Sequence, residues 1–376
     1  MSNPDTVRTR LDRARAAAAD AGVAALAVAP GSDLRYLIGA TGHSLERLTC
    51  LLLPAAGDAV LVVPKLEAPG YGPLEEVGVR VATWVDGEDP YRLCSEVLGA
   101  GGPSGEGTVT GPVAVSDEMA ALHVLGLRAA LPAAEQVLAG PVLRELRMRK
   151  DAAEVAALRE AGAAIDRVHA RMGEWLRAGR TEAEVAADIA EAILAEGHRG
   201  VEFVIVGSGP NGASPHHEVS ERVLSPGDVV VVDIGGITEA GYNSDSTRTY
   251  SLGPPSEPDV AASYAALLAA QRAATAAVRP GVSAESVDAA ARDVLAEAGL
   301  AEFFIHRTGH GIGLDCHEHP YIVAGNATTL EPGMAFSIEP GVYLPGRWGA
   351  RIEDIVVVTE DGVEALNSRP RELVEL

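Results

Sequence analysis

Cysteine is scarce in this chain. The three present in 376 residues, Cys50, Cys94 and Cys316, are too widely spaced for a disulfide framework or a zinc-type CxxC pair, which points to a reducing, cytoplasmic setting. Basic charge is also thin, with 30 Lys and Arg against 53 Asp and Glu for a formal net charge of −23. No basic cluster offsets it, so nucleic acid is excluded as an expected partner. Long apolar runs are lacking too. Met1 to Gly22 mixes Arg and Asp with Ala where a secretory signal needs a continuous apolar core, and reads as an amphipathic surface helix. The Ala-rich stretch Val260 to Val278 is interrupted by Gln271 and Arg272, so no membrane segment is expected.

What is there fits a soluble globular protein: 47% hydrophobic and 22% charged residues, in a length that exceeds one ordinary domain. Strand-length apolar runs at Val23 to Val28, Cys50 to Leu53, Val60 to Val63, Val79 to Val85 and Val113 to Val115, bounded by Gly, Pro or Asp, predict an α/β first domain. Near Pro141 the texture changes. The charged segment Arg144 to Asp151 leads into a long helical pattern with Leu158, Ile165, Val168, Met172 and Trp175 on one face. The boundary is placed there, giving domains of residues 1–142 and 143–376.

The second domain carries a faint internal repeat. Arg177, Gly179, Thr181, Val185 and Gly197 recur at one constant offset as Arg279, Gly281, Ser283, Val287 and Gly299. Each copy predicts one capped helix: Thr181 with Glu184 forms a capping-box signature, and Ser283 stands where it can cap the other. Each is followed by two β-rich runs joined by a glycine-containing turn, and each pair of runs carries two carboxylates. Two similar halves facing one site are expected.

A turn centred near Glu239 sets Asp233 opposite Asp245, and one centred on Gly346 sets Glu339 across from Glu353. Carboxylates so close repel unless a proton or cation lies between them. With one imidazole, oxygen ligands in this number suit Mn, Co, Fe or Zn. The imidazole is assigned to His310 in HRTGHGIGLDCHEH, with His317 as acid–base helper. Six of the ten histidines (His216, His217, His306, His310, His317 and His319) fall within the stretch that also spans the first carboxylate pair. A lone Asp in a strand is ordinarily a turn or edge residue, but the pairing argues for ligands. His217 and His319 read as solvated or supporting neighbours, and the GxG at Gly207 to Gly209 lacks dinucleotide-binding spacing.

Together VVVDIGGITEAGYNSDSTRTY, HRTGHGIGLDCHEHP, FSIEPGVY and RIEDIVVVT resemble the metallopeptidase family of Xaa-Pro dipeptidases, aminopeptidase P and methionine aminopeptidases, over residues 150 to 365 or so. The resemblance implies an α+β protein, with an N-terminal creatinase-like α/β domain ahead of a C-terminal pita-bread catalytic domain of pseudo-two-fold duplicated halves. It implies two divalent metal ions, Mn first among Mn, Co, Zn and Fe, on Asp233, Asp245, His310, Glu339 and Glu353, with Asp245 and Glu353 bridging. By the same resemblance Glu339, His317 and His216 are catalytic, and His306, Tyr343 and Arg351 bind substrate. Arg351 read as a strand residue would instead hold Glu353 by a charge-assisted bond.

The activity implied is hydrolysis of the bond between an N-terminal residue and a following proline, by attack of a hydroxide bridging the ions. The partner is a small peptide with proline second, and a homodimer is expected. A peptide- or protein-binding member of the fold without catalysis is the alternative, and intact ligands speak against it. One departure stands out: the loop between Asp233 and Asp245 looks one residue longer than in many Xaa-Pro enzymes.

Overall fold

The computed structural model describes residues 3–42, 46–99, 109 and 111–376; Met1 and Ser2 of the expected N-terminal helix lie outside them. The described chain divides into two compact units, Met1–Arg147 and Met148–Leu376.

The first unit contains α1 (Pro4–Asp20), β1 (Ala25–Val28), α2 (Ser32–Ile38), β2 (Cys50–Pro54), β3 (Ala59–Pro64) and β4 (Val79–Trp84). It continues with α3 (Pro90–Gly99), β5 (Val113–Val115), α4 (Ala121–Ala130), β6 (Gln136–Leu138) and α5 (Gly140–Met148). Asn3 caps α1 by accepting from the Asp5 N–H, and Val7, Leu11, Ala14 and Ala18 form its buried stripe. The sheet runs β4-β3-β2-β1-β5-β6. Its inner strands read as unbroken apolar runs because both faces are covered. Every expected strand is present, and β6 is an addition. Glu46 and Arg47 bond each other, and Arg47 also grips Asp86 through two nitrogens at 2.9 Å.

The second unit begins with α6 (Ala152–His169), α7 (Met172–Trp175), α8 (Glu182–Ala195), β7 (His198–Ser208), β8 (Val229–Thr238) and β9 (Asn243–Ser251). Next come α9 (Val260–Ala277), α10 (Ala284–Glu297), β10 (Gly309–Gly311), β11 (Glu318–Ile322), β12 (Ala335–Ile338) and β13 (Gly341–Leu344). It closes with β14 (Trp348–Arg351), β15 (Asp354–Val358), β16 (Val363–Ala365) and β17 (Val374–Glu375). The expected long helix is two: α6 stops at His169, and Met172 and Trp175 belong to the single turn α7. All five apolar positions are nonetheless buried.

The repeat is visible as two helix pairs, each on its own sheet. Ile165, Val168 and Ile189 of α6 and α8 pack against Val230, Val232 and Ile234 of the sheet β17-β9-β8-β7. Leu267, Val287 and Leu295 of α9 and α10 pack against Phe336, Ile338 and Val356 around the sheet β11-β10-β12-β15-β16. Each such side chain contributes about 1.5–3 kcal/mol when buried. α8 and α10 have equal length, and both begin beside the same kind of contact: Gly179 N–H to Leu224 C=O at 2.9 Å, Gly281 N–H to Leu330 C=O at 2.9 Å. Thr181 and Glu184 form the capping box. Ser283 occupies the N-cap of α10, but its side chain does not cap. Gln271, which breaks the apolar run of α9, is buried and donates to Asp354 at 3.1 Å. Among the described residues no helix is long and apolar enough to cross a membrane.

Candidate metal centre

Period-two alternation places the carboxylates. β8 and β9 form a hairpin in which Asp245 faces Gly235 and Asp233 faces Thr247, so the two aspartates are not direct partners as expected. The turn is centred one residue later, on Ala240, with Gly241 in the left-handed region at φ 84°. Asp233 and Asp245 keep one face as diagonal neighbours, a spacing of roughly 7–8 Å.

In the second half the expected register holds. Ile338 faces Asp354 on one side and Gly341 faces Arg351 on the other, which brackets Glu339 across from Glu353. The ladder opens at that pair. The Glu339 N–H turns to the Thr308 carbonyl at 2.8 Å and the Glu353 N–H to the Thr247 carbonyl at 3.1 Å. The hairpin thus splits at its two carboxylates and stitches one strand to β9 of the first half.

His310 arrives on β10 between glycines that admit close backbone. A Cβ on Gly309 would lie 1.8 Å from the Ser337 carbonyl oxygen. His310 Nδ1–H donates to the Gly311 carbonyl at 3.1 Å, leaving Nε2 bare, 3.5 Å from Asp245 and 3.3 Å from Glu339. Burial, with the neighbouring His317, pushes its pKa down to about 3, so the ring is neutral and offers a lone pair.

All five expected ligands open onto one cavity of about 600 Å³. Asp245, His310 and Glu353 each offer an atom within 4.8 Å of the others. Burial first, then mutual repulsion, drives Asp245 and Glu353 well above the carboxylate range, while Glu339 is pushed up to about 7 by burial against the pull of Arg351. Asp233 Oδ1 is buried without a hydrogen-bond partner. An orphaned oxygen, a bare imidazole nitrogen and buried carboxylates that outnumber their cation form a donor set that fits divalent metal.

Supporting groups orient these side chains. Thr247 Oγ1 donates to Glu353 at 2.8 Å, and Ser337 Oγ donates to Glu339 at 3.1 Å while accepting the His310 N–H at 3.0 Å. The Cys316 thiol faces Asp245 at 3.5 Å. Arg351 does not hold Glu353. Its Nη2 pairs with Asp233 at 2.5 Å, its Nε donates to Thr247 and its Nη1 to the Tyr343 hydroxyl. That hydroxyl donates in turn to His306 Nε2 at 2.9 Å, His306 Nδ1–H being spent on the Arg307 carbonyl. Tyr343 therefore stands behind the wall, buried, and ties His306 to Arg351.

His216 is exposed at the cavity, and His317, also exposed there, packs its ring 4.1 Å from that of His310. Of its two readings, His217 is the supporting neighbour and not the solvated one: it bonds the buried Glu182 at 2.7 Å. His319 packs on Tyr321. Phe203 and Ile205 of β7 form an apolar wall, and Arg307 lines the opening with its guanidinium over the Tyr321 ring. These were missed: residues 203–206 are all apolar, so no alternation marks Phe203 and Ile205 as facing the cavity, and a register shift between Val201 and Phe203 changes the face. Thr247 and Ser337 did carry a period-two signal, each two residues from a carboxylate.

A model of metallopeptidase family M24 matches residues 156–360, and one of the creatinase/prolidase N-terminal domain matches residues 10–149. The chain is 63% identical over 367 residues to the probable dipeptidase PepE of Mycobacterium tuberculosis, covering 97% of this chain and 95% of that one. It is 36% identical over 340 residues to an Xaa-Pro dipeptidase of Lactobacillus helveticus, covering 89% and 90%. Its structure is similar to that of dipeptidase PepE from Mycobacterium ulcerans, with a TM-score of 0.93 and 61% identity over 99% of this chain and 98% of that one. The α+β reading stands, with a creatinase-like N-terminal domain followed by a pita-bread domain of two similar halves. Buried carboxylate and imidazole groups that could hold a metal ion come together from both halves, and the chain belongs to metallopeptidase family M24.

Proposed function

We propose that this chain is a dinuclear metal-dependent exopeptidase that hydrolyses the bond between an N-terminal residue and a following proline, as an Xaa-Pro dipeptidase or Xaa-Pro aminopeptidase. The observation that carries it is the convergence of Asp245, His310 and Glu353 within 4.8 Å at a cavity that Asp233 and Glu339 also line. Asp233, Asp245, His310, Glu339 and Glu353 would hold two divalent ions, Mn first. When bound, these ions polarise the scissile carbonyl and make a water acidic enough to attack at neutral pH.

The remaining work falls to the chain. Glu339 takes a proton from the attacking water and passes it to the leaving nitrogen. His317, exposed in the cavity beside His310, donates to the developing oxyanion, and His216 contacts the substrate from the other wall. Arg351, paired with Asp233, keeps that carboxylate aimed, and Tyr343 and His306 hold the guanidinium's far side. The apolar face of Phe203 and Ile205 excludes water beside the reacting bond. Support for proline comes from the Xaa-Pro dipeptidase relative, and support for short substrates from the relatives named dipeptidase. Three buried free cysteines agree with a cytoplasmic enzyme. We also carry forward a homodimer and domains of residues 1–142 and 143–376.

The test is hydrolysis of Xaa-Pro and Xaa-Ala dipeptides beside an Xaa-Pro-Xaa tripeptide, with protein stripped of metal and then given Mn, Co or Zn. Cleavage confined to Xaa-Pro dipeptides defines a dipeptidase, and tripeptide cleavage after the first residue an aminopeptidase. Silence with every metal would leave a binding protein of this fold and overturn the reading.

A further inference from the structure

We propose that Glu182 is a positioning residue: its carboxylate gathers residues 208–220 into one rigid loop and thereby fixes His216 and Pro215 at the cavity. This rests on the peptidase reading above. Glu182 opens α8, and its side chain is 0% exposed. A charged group so placed needs full compensation.

It receives it from one segment. Ser208 donates both its N–H (2.8 Å) and its hydroxyl (2.6 Å), and Asn211 Nδ2 reaches both carboxylate oxygens at 3.1 Å. Ser220 likewise gives its N–H (3.2 Å) and its hydroxyl (2.7 Å), and His217 Nε2 lies 2.7 Å away. All these partners can donate, and an ionised carboxylate accepts only, so charge and geometry agree at every contact. Between Asn211 and His217 the chain has little freedom. There it presents His216 to the cavity, while the Pro215 carbonyl accepts from Arg351 at 3.3 Å.

The second half makes a comparable contact from a different position of its helix. Asp288 of α10, buried, accepts the Thr308 N–H (3.2 Å) and hydroxyl (2.8 Å), fixing the turn between His306 and His310. Each repeat helix therefore inserts one carboxylate under the loop that brings histidine to the site.

The experiment compares manganese-loaded wild type with Glu182→Gln, whose amide nitrogen would confront donors, and Glu182→Asp, which remains acceptor-only. Amide hydrogen exchange and Xaa-Pro dipeptide kinetics are measured together. In Glu182→Gln the amides of 208–220 should exchange about tenfold faster while segments around Asp245 and Glu353 do not change. KM should rise about tenfold with kcat within roughly twofold and manganese affinity unchanged, and Glu182→Asp should recover part of both effects. Unchanged exchange in 208–220, an unmoved KM, or joint loss of kcat and manganese would overturn the proposal. Should Glu182→Gln fail to fold, Ser220→Ala removes one donor hydroxyl and must give a smaller rise in the same readouts. A wild type that turns over no peptide sinks the peptidase reading instead, and the exchange measurement then decides alone whether Glu182 holds the loop.

Discussion

Asp245 sits in the middle of the candidate centre, with His310 Nε2 at 3.5 Å and the Cys316 thiol at 3.5 Å. Asp245→Ala should therefore abolish metal uptake and turnover together, a loss of about 100-fold or more in affinity measured by titration calorimetry with Mn. Normal activity in that variant would remove Asp245 from the centre. Away from the cavity, His169 makes a different prediction. Burial holds its pKa at about 3, and its nitrogens are spent on the Tyr250 hydroxyl (2.9 Å) and the Ser246 carbonyl (3.1 Å). The folded pKa lies below the ordinary 6.5. Its contribution is thus complete above pH 6.5 and declines as pH falls towards 3, by a few kcal/mol in order of magnitude. Urea unfolding at pH 7 and pH 4.5 should show a smaller acid loss for His169→Gln than for wild type.

At the scale of elements, glycine is the constraint. Gly309 cannot carry a Cβ without meeting the Ser337 carbonyl oxygen, so Gly309→Ala must push β10 off β12 and move His310 with it. A loss of roughly 3 kcal/mol or more, read as a lower denaturation midpoint, is expected. The strand positions of the first unit and the capping box of α8 were readable because they depend on local apolar runs and capping chemistry, whereas the side-chain cap expected of Ser283 does not form. The Glu339–Glu353 register was readable too, since its turn is symmetric about Gly346. The Asp233–Asp245 register was not, because Gly241 adds a left-handed residue that hairpin arithmetic does not count. β7 was overlooked, and with it the wall of Phe203 and Ile205, because its apolar residues run together and two register shifts interrupt its pairing. Which carboxylate Arg351 would choose depends on strands far apart in sequence, and no local pattern encodes that choice.

For the whole molecule, the proposed ligands come from both halves and would couple metal to stability. At an ion concentration 100 times Kd the native state gains about 2.7 kcal/mol. Stripping with a chelator should lower Tm by several degrees in calorimetry, and a Tm indifferent to metal would argue against the site. The effect should be confined to the unfolding of the Met148–Leu376 unit, where the ligands lie.

The split hairpin at Glu339 and Glu353 has a consequence for dissecting the protein. Asp233 and Asp245 precede the segment 252–259, and His310, Glu339 and Glu353 follow it, yet the Glu353 amide is bonded to Thr247 across that divide. Cutting the chain there would yield two fragments, each holding part of a coordination shell and one side of a backbone seam. Uptake of manganese by the mixture would then behave as a logical AND, signalling that two separately made pieces had found one another.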